Sequence, residues 1–560
     1  MHVTRALVYA LLFVGVIPQE TGEHTDWPRW CGKVYEDGYP SFEPGGHTTE
    51  PADTGATNLY VQFKPRYSVY LDGEASGAFV VNAAFSSWYG SPWSESTFNG
   101  NATESFDTLY FTIKLGSDVV LVNDSIPVNT TGAEFVFDFS AVEPQTIPYD
   151  VVLEGASKFG DKTYSTNATF LYLPDNPDGS ATKIDYLKGG LLFKSPDTGN
   201  EFQPLLPYGY YSLYNGSNSS EISDDFVRNY TSDGQGLNAI ISLAGFDDSN
   251  PVYTSMDQQS LRFMYDLRGS YENLSIVEQH VNTIKNHTSL FAYWTADEPD
   301  GWQKPFNADV DARQLIHKLD PYHPVAITLN CQDYYFGEYS LGADIIMEDV
   351  YPIIINSTFS KWNTTCNATL GDCGCDNCDG NVQDVSSRLD DLSIYEYWLG
   401  RWPLPKFHNP QVFHGEGYWP RDPTPGEARV MNALAFNRGA TGIFGWTWPG
   451  SLELFEVHTD MAAVVTQPPV RNFLLSGKPV RLVESATLDA AYWLFDDQVM
   501  VSIVNGDYAD LPGPLSITIA EDVTKIMSVP FGNLAWQFTD GKLSTHVLPA
   551  MTTSFIILSK

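Results

Sequence analysis

The alternation of apolar and polar positions changes character twice along the chain. Between about Tyr60 and Leu173, short runs such as TLYFTIKL, DVVLVND, EFVFDFS and YDVVLEG are separated by Gly, Asn, Asp and Pro. Runs of that length between turn formers predict antiparallel strands packed as a sandwich. After Pro204 the rhythm becomes strand, helix, strand, helix. The strand candidates are LLPYGYY (205–211), LNAIISL (237–243), LRFMYDL (261–267), LFAYWTADE (290–298), PVAITLN (324–330), DIIMEDVYP (344–352), QVFHGEG (411–417) and GIFGWTW (442–448). Helical patterns such as SIVEQHVNTIKNH and GEARVMNALAFNRG lie between them. Eight strands with intervening helices predict a closed (β/α)8 TIM barrel. An open doubly wound sheet is the rival, but no glycine-rich phosphate turn follows its first strand. From about Lys478 the strands return, as in AAYWLFDD, QVMVSIVNG and TTSFIILSK, and predict a smaller second sandwich.

The first 22 residues carry Arg5 ahead of an apolar run of roughly a dozen residues and a polar exit, the pattern of a secretory leader; a membrane span needs about 20. The expected order is therefore a signal peptide at 1–22, an irregular lead-in at 23–57, an N-terminal β-sandwich at 58–180, the barrel at 203–477 with a cysteine-rich insertion at 353–385, and a C-terminal β-sandwich at 478–560. No apolar tail follows FIILSK, so neither a second span nor a lipid anchor is expected.

Composition sharpens the picture of an exported protein. Sequons stand at Asn101, Asn123, Asn129, Asn167, Asn215, Asn218, Asn229, Asn273, Asn286, Asn356, Asn363 and Asn367, and predict N-glycans on an extracellular chain. A formal charge of −38 excludes nucleic acid and stable membrane association, since phosphate groups need basic patches. Of the six cysteines, four crowd into TTCNATLGDCGCDNCDG. In an exported chain that spacing predicts disulfides that staple a long loop, and no metal or other cofactor is expected.

The chemistry concentrates at LFAYWTADEPDGW, where an apolar strand ends in Asp297, Glu298 and Asp300. Carboxylates at the end of a buried strand are costly unless solvated, paired or used. In a barrel, the C-terminal strand ends form the mouth where active sites are built. Glu416, read as the end of the seventh strand in QVFHGEGYW, faces the same mouth. Two carboxyl groups across one cleft are what glycoside hydrolysis requires: one protonates the leaving oxygen, the other attacks the anomeric carbon or activates water.

With these residues in place, the barrel resembles the clan A glycoside hydrolases, retaining (β/α)8 enzymes whose acid/base Glu ends the fourth strand and whose nucleophile Glu ends the seventh. The resemblance implies Glu298 as acid/base and Glu416 as nucleophile, acting on a β-linked carbohydrate. One departure is that the clan has Asn before its acid/base, whereas here Asp297 occupies that place; it can accept a hydrogen bond from a sugar hydroxyl but cannot donate one. Its charge also raises the pKa of Glu298. Tyr351 resembles the aromatic residue that holds the nucleophile through its hydroxyl. Trp446 and Trp448 are candidates for the apolar floor under a sugar ring, Trp448 the preferred one. Asn330, His414, Tyr418 and Tyr208 are candidate hydroxyl partners, Glu348 and Asp349 supporting carboxylates, and Asp300 a structural cap. The insertion after the sixth strand is expected on the mouth side. The alternative from another class is a non-catalytic carbohydrate-binding or cell-wall protein on the same barrel.

Overall fold

The computed structural model describes residues 22–93, 96–98, 101–104, 107–212, 224–232, 234–243, 252–448, 450–485 and 487–560. The leader, all but its last residue, and the sequons at Asn215 and Asn218 lie outside the described residues. Eight parallel strands close into a barrel: β1 (Tyr208–Ser212), β2 (Ala239–Ser242), β3 (Arg262–Asp266), β4 (Leu290–Asp297), β5 (Val325–Leu329), β6 (Ile345–Glu348), β7 (Lys406–His408) and β8 (Ile443–Trp448). Inside it, Tyr211, Ile241, Met264, Trp294, Ala326, Met347, Phe407 and Phe444 pack into one core. Gly209 allows the first closure contact, because a side chain there would meet the Ala239 carbonyl oxygen at 1.8 Å.

The seventh strand differs from its expected position. It is the three-residue Lys406–His408, while residues 411–417 give β8 a single bridge at Gln411 and then form a loop closed by a local Gly415–Trp419 bridge. Pro403, Pro405 and Pro410 bracket the strand, and proline cannot supply ladder donors, so pairing is confined to the short KFH run. Glu416 consequently sits on a loop eight residues beyond β7.

Before the barrel, two four-stranded antiparallel sheets enclose a core of Phe63, Phe79, Phe111, Phe137 and Phe170. A three-stranded sheet not anticipated from sequence follows, formed by Ala181–Ile184, Leu191–Lys194 and Gln203–Leu205. Its Ile184, Leu191, Phe193 and Leu205 plug the lower end of the barrel against Phe291 and Phe444. Gln203–Leu205 thus belongs to this plug, and the barrel begins at Tyr208.

After the barrel come a five-stranded and a three-stranded antiparallel sheet. The helix Pro425–Asn437, started by a capping box between Thr424 and Glu427, packs the barrel against them. Just past its end, Arg438 Nη2 reaches Asp489 Oδ2 at 2.7 Å, both side chains being 1% exposed, and Asn437 donates to the other oxygen of Asp489. Removing one partner of a buried pair leaves an uncompensated charge. Arg438→Met is therefore expected to cost about 3–5 kcal/mol, read as a lowered denaturant midpoint.

Candidate active site

The end of β4 stands at the mouth, and its carboxylates do not share one environment. Asp297, the last strand residue, lies 3.3 Å from Arg268 Nη1, and Arg268 in turn meets Asp266 at 3.4 Å. Asp300 is buried and accepts from the backbone amides of Gly301, Asn330 and Cys331 at 2.9, 3.3 and 2.8 Å, which fixes the β4 and β5 loops to each other. Burial pushes its carboxyl up to about 7 while those amides pull it down.

Glu298 is different. Its backbone lies in the left-handed region (φ 50°), and its amide donates to Thr328 O at 3.0 Å, extending the β4–β5 ladder by one rung. For a residue with a Cβ this conformation is uncommon and costs roughly 1–2 kcal/mol. The Glu298 carboxyl is in hydrogen-bond contact with that of Asp349, which follows β6. Two such groups cannot both ionise, so the pair holds a proton; burial first, then the Asp349 charge, raise Glu298 well above its ordinary value. Asp349 is raised too, chiefly by burial, and Asn330 Nδ2 donates to it at 3.2 Å.

Beneath this pair a hydrogen-bonded layer sets the floor. Asn409 Nδ2 donates to the Tyr211 hydroxyl at 2.8 Å, the Tyr211 hydroxyl lies 3.2 Å from Thr328 Oγ1, and Trp294 Nε1 donates to the same Thr328 oxygen at 3.0 Å. Glu348 is fully buried and faces inward to His408 Nδ1 and the Val350 amide, not the cleft.

Above the pair opens a cavity of about 330 Å³ lined by Asp297, Glu298, Asn330, Asp349, Tyr351, Glu416, Tyr418 and Trp446 among the residues singled out in the sequence. Three of the expected contacts fall elsewhere. Tyr208 opens β1 rather than closing it, so its hydroxyl is buried at the far end, accepting from Asn432 Nδ2 at 2.8 Å and 2.9 Å from His458 Nδ1. Trp448 packs against Tyr230 and Phe455 outside the strands, leaving Trp446 as the tryptophan of the floor. His414 points to solvent beside Asp422 at 2.7 Å.

Glu416 lines the cavity from an exposed turn, also in a left-handed conformation (φ 55°). Lys361 Nζ donates to its backbone carbonyl at 3.1 Å and stands 4.3 Å from the Tyr418 ring centre. Tyr351 is packed edge-on between Phe413 and Trp419, and among the described residues its hydroxyl makes no hydrogen bond to Glu416.

The lead-in supplies a wall with no counterpart among the residues singled out in the sequence, and the insertion, expected on the mouth side, supplies another. Trp30 and Trp302 meet edge to face at the cavity, with ring centres 5.0 Å apart, and Trp30 Nε1 donates to Asn330 Oδ1 at 2.9 Å. Trp30 arrives from the lead-in through the Cys31–Cys331 disulfide. Lys361, Asp372 and Gly374 come from the insertion, which is pinned by Cys366–Cys373 and Cys375–Cys378 and by the buried Lys33–Asp376 ion pair. No group of His, Cys, Asp or Glu arranged to hold a metal ion occurs among the described residues.

No protein-family model and no curated protein matches the sequence. Solved structures do. A candidate alpha-galactosidase from Bacteroides fragilis aligns with 89% of this chain and 98% of its own at 10% identity and a TM-score of 0.45. A family 30 xylanase from Clostridium acetobutylicum aligns with 64% of this chain and 97% of its own at 10% identity and a TM-score of 0.39. An alpha-amylase from Geobacillus thermoleovorans aligns with 64% of this chain and 97% of its own at 9% identity and a TM-score of 0.41. Likeness at this level carries no inference about substrate or reaction.

The raised carboxyls have a consequence for stability. Asp266 and Asp297 are pushed up to about 6 and Asp300 to about 7, burial leading in each, whereas unfolded carboxyls titrate near 4. Between about pH 4 and 7 the folded chain thus binds more protons than the unfolded one, and its stability falls as pH rises. Glu427, held down at about 2 by Arg421 despite its burial, works oppositely and only at lower pH. The melting temperature is expected to be higher at pH 5 than at pH 8. Asp349→Asn, which removes one charge of the pair, should narrow that gap by raising the pH 8 value by a few degrees, on the order of 1–2 kcal/mol.

Proposed function

We propose that this protein is a secreted glycoside hydrolase that cleaves a β-linked oligo- or polysaccharide with retention, Glu298 acting as the general acid and Glu416 as the nucleophile. The observation that carries the reading is the setting of Glu298: a carboxyl whose burial and contact with Asp349 both raise its pKa, at the floor of an aromatic-walled cleft. A general acid must hold its proton near the working pH and stand where the leaving oxygen arrives. Trp30, Trp302, Trp419 and Trp446 supply the apolar faces on which sugar rings stack.

The second carboxyl is chosen by exclusion. Asp349 touches Glu298 and is too close to work from the other side of a sugar ring, since retaining pairs stand about 5–5.5 Å apart. Asp297 is tied to Arg268 and suits a hydroxyl-orienting role. Asp372 accepts from the Trp362 indole and the Gly374 amide. That leaves Glu416. The retaining route and the β linkage rest on the clan A order of the two glutamates along the chain. Export is supported by the leader pattern, three disulfides and the solvent exposure of every sequon asparagine whose side chain is described.

One feature favours the non-catalytic alternative: Glu416 stands exposed on a turn, without the tyrosine hydroxyl expected to hold it. Kinetics separate the two readings. On a panel of β-glycosides, Glu416→Gln should abolish turnover with the fold intact. Glu298→Gln should cost about 10²–10⁴-fold on sugar leaving groups but far less on nitrophenol, which departs without a proton. Sugar binding with no bond cleavage, unchanged by either substitution, would establish the alternative.

A further inference from the structure

The side-chain amide of Asn330 is addressed from two sides. Trp30 Nε1 lies 2.9 Å from its Oδ1, and its Nδ2 lies 3.2 Å from Asp349 Oδ1. An indole nitrogen only donates, so the amide oxygen must face Trp30 and the NH2 must face Asp349. Asp349 imposes no such order. Ionised, a carboxyl group accepts from the NH2; protonated, it donates to the oxygen. The direction of the amide is therefore set by Trp30.

Trp30 is held in place from outside the barrel. It lies in a short hairpin of the lead-in, Arg29–Trp30 paired with Lys33–Val34, and Lys33 is tied to Asp376. The next residue, Cys31, is bonded to Cys331, the chain neighbour of Asn330. The indole rests on Gly301, where even a methyl group would overlap it, and meets Trp302 edge on. Asn330 is 5% exposed, its carbonyl accepts from Arg388 Nη1 at 2.6 Å and its backbone amide donates to Asp300 at 3.3 Å. With that backbone fixed, the side-chain amide is the part left for Trp30 to orient.

Which member of the Glu298–Asp349 pair keeps the proton depends on that orientation. With the NH2 on Asp349, the bond favours a charge there and a proton on Glu298. With the amide reversed, its oxygen would accept from a protonated Asp349 and leave the charge on Glu298. The surrounding charges oppose one another. Asp297 raises both carboxyls, Asp300 raises Glu298, and Glu348 raises Asp349. Arg268 is spent on Asp297 and Asp266, Lys361 on the Glu416 carbonyl, and burial keeps the Tyr211 and Tyr351 hydroxyls neutral. Glu416 lines the same cavity.

We propose that Trp30 is a positioning residue for the acid: by fixing the Asn330 amide, it places the shared proton on Glu298 and the charge on Asp349. The consequence for catalysis rests on the reading of Glu298 as the general acid. What is added is the group that loads it, a tryptophan from outside the barrel that acts through Asn330.

The test is infrared titration of the full chain with glutamate carrying 13C at its side-chain carboxyl, so that protonated Glu and protonated Asp absorb at separate frequencies. Glu298→Gln identifies the Glu298 band, which is expected in the unsubstituted protein at neutral pH. Trp30→Phe keeps a ring and loses the donor. It should move the Glu298 titration down by roughly half to one pH unit, with a matching gain in the Asp band. Gly301→Ala keeps the donor, displaces the ring and should act the same way, which secures the test if Trp30→Phe does not fold. Trp302→Phe, on the same wall without a bond to Asn330, should leave the titration in place. A band of Asp alone in the unsubstituted protein, a Glu298 titration unmoved by Trp30→Phe and Gly301→Ala, or an equal shift by Trp302→Phe overturns the proposal. In kinetics, the upper limb of the kcat/KM profile should fall by the same amount in Trp30→Phe. A protein that cleaves no glycoside refutes the acid role of Glu298, and the infrared titration still decides where the proton lies.

Discussion

The arrangement at the barrel mouth follows from one constraint: Glu298 and Asp349 touch in a place too dry for two negative charges. A proton must stay on the pair, and the neighbouring groups are those that a shared proton tolerates. Asn330 donates to the Asp349 side, Arg268 takes up the charge of Asp297, and Asp300 is held apart by backbone amides. The aromatic wall matters to the electrostatics as much as to recognition. By excluding water around Glu298, it makes ionisation more expensive and so favours the protonated form.

That constraint is met because the elements beneath it are rigid. The floor from Asn409 through Tyr211 and Thr328 to Trp294 joins β1, β4 and β5 to the residue just past β7 by side-chain hydrogen bonds within a close-packed interior. The plug of Ile184, Leu191, Phe193 and Leu205 fills the opposite end, so the barrel cannot relax by collapsing. Glu298 and Glu416 both sit in left-handed backbone, which the surrounding contacts must enforce; such residues are concentrated at functional sites.

The parts legible in the sequence were those written by periodicity. Long apolar runs such as LFAYWTAD and VAITL predicted the barrel, and the acidic end of β4 pointed to the mouth. The seventh strand was misplaced because QVFHGEG has the alternation that KFH is too short to display, yet the flanking prolines leave only KFH able to pair. Tyr208, a candidate hydroxyl partner, falls in the middle of a first strand predicted at 205–211, whereas the strand begins at Tyr208 itself and leaves it at the end away from the mouth. Trp30 and the contact of Glu298 with Asp349 carried no local signal at all. They depend on cross-links and on neighbouring strand ends, relations between residues tens to hundreds of positions apart.

The cross-link between Cys31 and Cys331 spans 300 positions, and it decides when a cleft can exist. Trp30 is among the first residues of the described chain to be synthesised, whereas its anchor, the β5 loop, emerges after more than half of the sequence, and Glu416 later still. A partly made chain can therefore form the first sandwich from local contacts while possessing only one side of the cleft. The aromatic wall of the cleft is among the last parts to be assembled, although its leading tryptophan is among the first to be made.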